Sequence, residues 1–132
     1  VGHLAHLGEV HLKKAEAAAD AGDLPKAREL FGKALGCYDP GEVGAAAASL
    51  GLGVVLAQLG EADEAKSALD QAVALLEKSS DRTGLARALN QLGLVEKDLG
   101  KLDQARAAHE RARAIAAEAE DRKQRAVALR NL

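Results

Sequence analysis

Histidine is the side chain best suited to metal and proton chemistry near neutral pH, and four occur in this chain. His3 and His6 stand one helical turn apart, a spacing at which two imidazoles can share a zinc-type ion. A third ligand is missing. Glu9 falls on another face at about 100° per residue, and no Cys or acid stands at a matching interval from His11. His109 belongs to an apolar stripe and is read as packing. Gly60-Glu-Ala-Asp-Glu-Ala65-Lys66-Ser67 has the outline of a phosphate loop, but its second glycine is Ala65 and three acids precede the lysine. A phosphate cradle needs flexible backbone N–H groups without negative neighbours. Gly51-Leu-Gly53 follows no strand, so it opens no dinucleotide-binding turn. Cys37 has no histidine partner for nucleophilic attack and is read as inert packing. The acids Glu118/Glu120 and Asp63/Glu64 belong to solvated helix faces. Nothing converges as acid, base and oxyanion donor would in an enzyme. No catalytic residue, metal or cofactor is expected.

These residues must be carried by helices. Ala (roughly 30) and Leu (roughly 20) dominate the 132 residues, and both are strong helix formers. Aromatics make up 2%, with one Tyr, one Phe and no Trp, so strand formers are scarce. The length suits one domain. With 18 Lys and Arg against 20 Asp and Glu, the net charge is −2. Acids and bases are interleaved, where nucleic-acid binding wants a basic face. No apolar run reaches 18 residues, so no membrane span is expected. No signal peptide is visible. A single cysteine forbids an internal disulfide and fits a reducing compartment, hence a cytoplasmic location. The start at Val1 rather than Met is read as a piece of something longer.

The chain repeats itself. A shift of 40 residues aligns Leu52-Gly53 with Leu92-Gly93, Leu59-Gly60 with Leu99-Gly100, Ala65 with Ala105 and Asp81-Arg82 with Asp121-Arg122. A shift of 38 aligns Leu12 with Leu50, Gly22 with Gly60 and Ala27 with Ala65. Three units follow, near 8–45, 46–85 and 86–125. Ala126-Val-Ala-Leu-Arg-Asn-Leu132 then matches Ala86-Arg-Ala-Leu-Asn-Gln-Leu92, so residues 126–132 read as the start of a fourth unit or a capping helix. Each unit reads as two helices. Glycine closes the first in the left-handed conformation that other residues resist. Asp23, Asp63 and Asp103 are expected to cap the second. Gly53 and Gly93 are expected to face Ala65 and Ala105, letting the two backbones nestle. One such pair cannot bury its own apolar face, so units must stack. The expected fold is all-α, an α-solenoid of antiparallel helix pairs.

The pattern Leu-Gly…Leu-Gly-x-x-Asp-x-Ala-x-x-Ala resembles the tetratricopeptide repeat family, and residues 21–35 are similar to that family's turn and second helix. The resemblance covers nearly the whole chain, with a period of about 40 in place of 34. Ala15 replaces the family's glycine in the first unit, and its aromatics are largely missing. The resemblance implies a right-handed superhelix whose first helices line a concave groove. Carried over on Ala15, Gly53 and Gly93, the lining is Glu9, Leu12, Glu16, Ala19 and Asp20; then Ala47, Leu50, Val54, Ala57 and Gln58; then Arg87, Asn90, Leu94, Lys97 and Asp98, with Gln91 beside them and Arg130 beginning a fourth row. The order is acidic, then apolar, then basic and amide-bearing. Leu50 and Val54 would be exposed apolar anchors. Asn90 and Gln91 would hold a peptide main chain, and Arg87 and Arg130 would pair with its acids. The family's chaperone-tail clamp is absent, since Leu12 and Glu16 stand at the clamp positions.

The function expected from this reading is a non-catalytic scaffold or adaptor that binds a protein partner through a peptide or helix in its groove. Two rivals are a self-associating structural module, pairing through its terminal helices as a homo-oligomer, and a ligand- or peptide-sensing regulatory domain of a larger signalling protein.

Overall fold

The computed structural model describes residues 2–130, in six helices and no strand. They are α1 (Gly2–Asp20), α2 (Leu24–Gly36), α3 (Val43–Gln58), α4 (Ala62–Glu77), α5 (Arg82–Asp98) and α6 (Leu102–Arg130). Each helix packs on the next in chain order, which makes three antiparallel pairs stacked side by side. The turn inside every pair has the same device: Gly22, Gly60 and Gly100 take φ of +84°, +82° and +79°, the left-handed cap conformation. The N–H groups of Asp23, Glu61 and Lys101, one residue on, reach back to Ala18, Leu56 and Glu96 carbonyls at 2.9, 2.9 and 2.8 Å.

Capping differs from the sequence expectation. Asp23 does cap α2, accepting from the Lys26 N–H at 3.3 Å, with Pro25 in the first turn. Asp63 and Asp103 do not cap; they lie inside the first turns of α4 and α6. Glu61 holds the cap position of α4 without a side-chain hydrogen bond. The reason is register: the first pair repeats at 38 residues, so Asp23 corresponds to Glu61. The two acids of α4 act through the helix dipole instead.

The core forms two clusters. One gathers Ala15, Ala18, Ala27, Leu30, Phe31 and Val55; the larger centres on Leu69, Leu85, Leu89 and Val95. Helix α3 carries no charged residue because both flanks are covered, by α1 and α2 on one side and α4 and α5 on the other. A helix apolar all round belongs inside. The small residues of α3 and α5 permit close approach: Gly53 does face Ala65, with Leu69 nearer still, whereas Gly93 faces His109 rather than Ala105. A Cβ on Gly53 would stand 2.6 Å from Leu69 Cγ and 3.4 Å from the Ala65 carbonyl oxygen, and one on Gly93 would meet the His109 ring at 2.6 Å.

Residues 126–130 continue α6 rather than opening a new helix. Between α4 and α5 the chain breaks at Ser79, whose Oγ donates to the Leu76 carbonyl at 3.0 Å and accepts from the Asp81 N–H at 3.1 Å. Asp81 then caps α5 through the Gly84 N–H at 2.9 Å. One repeat later Ala119 replaces Ser79. It has no hydroxyl to intercept the backbone, so the helix runs on through Asp121-Arg122. At 1.5 Å per residue α6 is about 43 Å long against about 25 Å for α5, so its last dozen residues overhang. Val127 and Leu129 there are exposed. Leu132, the last residue of the expected fourth-unit start, lies outside the described residues.

Candidate functional site

Successive first helices touch one another, α1 with α3 and α3 with α5, whereas the backbones of α2, α4 and α6 do not meet. The touching row is the inner side of the arc. The outer row is bridged by long side chains instead: Arg28 pairs with Glu61 at 2.8 Å and Glu64 at 3.2 Å, and Arg111 with Glu77 at 3.3 Å. Such exposed pairs orient more than they stabilise.

A cavity of about 400 Å3 opens on the inner row. Helix α1 contributes Glu16, Ala19 and Asp20, α3 contributes Ala47, Leu50, Val54 and Gln58, and α5 contributes Arg87. About half of the expected groove set is therefore brought together around one cavity. Three further lining residues were not expected: Phe31, Gly51 and Val55. Phe31 reaches in from α2 because Gly51 has no side chain, and a Cβ there would strike the ring. Phe31 and Val55 are buried and form the floor. Glu16 and Asp20 stand one turn apart on one face. Neither they nor Arg87 makes a salt bridge among the described residues.

The remaining expected residues lie elsewhere. Leu12 packs against the first core cluster, and Leu50 leans on the second while its edge lines the cavity. Leu50 and Val54 are thus half-buried rather than exposed anchors, because α3 is flanked on both sides. Asn90 is turned to the outer helix of its own pair, with Oδ1 3.1 Å from His109 Nδ1. Gln91 is half-buried; Glu9, Leu94, Lys97 and Asp98 are exposed but outside the cavity wall. Arg130 begins no fourth row: it sits in the last turn of α6, on the outer row. His6 is exposed, His11 is half-buried, and the His3 side chain lies outside the described residues. Among those residues no three His, Cys, Asp or Glu side chains gather as a metal site, and no helix is long and apolar enough to cross a membrane.

Sequence reasoning missed a second, larger hollow of about 960 Å3. It lies at the edge where the α2–α3 and α4–α5 loops meet, between Pro40–Val43 and Lys78–Thr83. Its apolar lining includes Ala46, Leu75 and Leu76, with Val43 83% exposed at the rim. It shares Ala47, Leu50 and Arg87 with the first cavity, so the two adjoin along these residues. The available signal was the recurrence of helix-breaking residues, Pro40-Gly41 and Ser79-Ser80, at one edge of the repeat. Close by, the Tyr38 ring is held between Gly8 and Gly44. Burial, then the charge of Glu9, push its hydroxyl above the usual tyrosine value.

Stacked helix pairs with a continuous inner row define an α-solenoid. A family model described as tetratricopeptide repeat matches residues 6–78 and again 44–118, and the chain belongs to that family. Repeats of this family generally serve as protein-interaction scaffolds. The crystal structure of BtubC (BKLC) from P. vanneervenii superposes with a TM-score of 0.79 at 21% identity, over 86% of this chain and 48% of that one. The crystal structure of MamA superposes with a TM-score of 0.74 at 20% identity, over 86% of this chain and 61% of that one. The chain therefore spans about half to three fifths of the length of these neighbours, and the likeness is one of fold. No curated protein sequence matches the chain.

Proposed function

We propose that the chain is a non-catalytic interaction scaffold that binds a segment of a protein partner along its inner row. The observation that carries this reading is the cavity whose walls come from three successive first helices over an apolar floor. Hollows of 300–1,000 Å3 with an apolar lining and a few convergent polar groups are the usual form of a binding site. A reducing, cytoplasmic setting suits its single free cysteine.

The test compares the wild type with Val54→Glu in capture from native lysate, followed by mass spectrometry. Val54 is half-buried on the cavity wall, and circular dichroism verifies that the helices persist. A partner lost only from the variant supports the groove. Identical associates on both, or full binding by a Leu50→Asp, Arg87→Glu double variant, sinks it.

Self-association is favoured by one specific observation, the exposed Val127 and Leu129 on the α6 overhang. A monomer mass by light scattering at every concentration rules that reading out.

A further inference from the structure

We propose that the groove selects an extended peptide carrying, in order across the inner row, a cationic side chain, a carboxylate and a large apolar side chain. This rests on the groove reading above and adds the chemistry of the occupant.

The cavity is electrically divided. Glu16 and Asp20 stand on the α1 wall and Arg87 on the α5 wall, with no charged residue between them on α3. None of the three is ion-paired among the described residues, although Arg87 shares the edge hollow with Glu42, Lys78 and Asp81, so a ligand can pair with both ends of the cavity. A ligand of the opposite polarity compensates both at once. The guanidinium can take a carboxylate through two parallel hydrogen bonds, and wrong polarity sets like charges together at a cost in affinity. An all-basic or all-acidic segment satisfies one wall and is repelled by the other.

The third element comes from the adjoining hollow. Arg87, Ala47 and Leu50 belong to both hollows, so a chain whose carboxylate rests on Arg87 is already at the mouth of the edge hollow. The apolar part of that hollow's lining is Val43, Ala46, Leu75 and Leu76, with Glu42, Lys78 and Asp81 also around it, and it suits a large apolar side chain. Two separate hollows meeting at one ridge fit an extended chain, whose successive side chains point to opposite sides. A helix about 10 Å across needs one straight trough.

Fluorescence anisotropy on the full chain tests this with capped, labelled peptides containing Lys, Glu and Leu in that order. The retro sequence is included, since the charge order does not fix chain direction. Three controls replace Lys by Glu, Glu by Lys, and Leu by Ala. The better of the two parent peptides binds at least tenfold tighter than either charge-reversed control. Arg87→Glu shifts preference to the all-basic control, and the double variant Glu16→Lys, Asp20→Lys shifts it to the all-acidic one. Val43→Asp weakens the Leu peptide but not the Ala control. These four side chains are partly or fully exposed, so the helices should persist, as circular dichroism checks. Equal binding of all peptides, lost in Val54→Glu, overturns the proposed order and leaves the groove standing. No binding by any peptide at millimolar concentration overturns both.

Discussion

Replacing Glu96 by Leu should stabilise the protein. Glu96 is 5% exposed in the last turn of α5, and its Oε1 has no hydrogen-bond partner among the described residues. One repeat earlier the same place is filled by Leu56, which is 4% exposed and part of the core. An orphaned buried polar group costs about 1–3 kcal/mol. Burying a leucine side chain contributes about 1.5–3 kcal/mol, and Leu and Glu have similar helix propensities. Allowing for imperfect packing in a site shaped by glutamate, a net gain of about 2 kcal/mol is expected for Glu96→Leu. At roughly 4 °C per kcal/mol for a chain of this size, Tm rises by about 8 °C. Urea unfolding followed by circular dichroism provides the free energy, and Glu96→Gln serves as the control that removes charge but keeps a polar atom. The control should change stability little. If Glu96→Leu and Glu96→Gln both lose more than about 1 kcal/mol, the carboxylate is satisfied in solution and the reasoning fails.

Other consequences are open to simple measurements. Gly53→Ala should destabilise by about 1–2 kcal/mol in denaturant unfolding, because the new methyl meets a fully buried Leu69 at 2.6 Å and overpacking outweighs the gain in helix propensity. Asp81→Ala should cost about 1 kcal/mol through loss of the α5 cap, whereas Asp63→Ala, inside the first turn of α4, should cost only a few tenths. Tyr38 should ionise above 10 in an ultraviolet titration. Since the folded state holds that proton more tightly than the unfolded chain, stability is full below the unfolded value and falls as pH rises through the folded one. A midpoint at or below 10 contradicts its seat between Gly8 and Gly44. Amide exchange should be slow at Ala105–Ile115, which carry the buried residues of α6, and fast in its last dozen residues, exposed apart from the half-buried Ala119.

The fold was legible because its requirements are local and repeated. A left-handed turn needs Gly22, Gly60 or Gly100, and close helix approach needs Gly53, Gly93 and the buried alanines, so spacing alone exposes the helix pairs. The α6 overhang was not legible from the same spacing. Asp121-Arg122 copies Asp81-Arg82, yet the break depends on the Ser79 hydroxyl two residues before, which Ala119 lacks. Groove residues were half legible. Position along a first helix places Glu16, Val54 and Arg87 on the inner wall, but whether Leu12 or Asn90 faces the groove depends on what the neighbouring helix offers, a core cluster in one case and His109 in the other. The edge hollow arises where loops of two different repeats come together, a juxtaposition that no single helix encodes.

The packing order has a mechanical consequence. Helix α3 touches α1, α2, α4 and α5, so it is the keystone of the arc: its loss separates the first pair from the third, while fraying of α1 or α6 leaves a closed remainder. Curvature is free to change where inner helices meet only their immediate neighbours. An occupant held at once by α1 and α5 is a chord across that arc, and it fixes the span between the ends as a tie-rod fixes the feet of a vault.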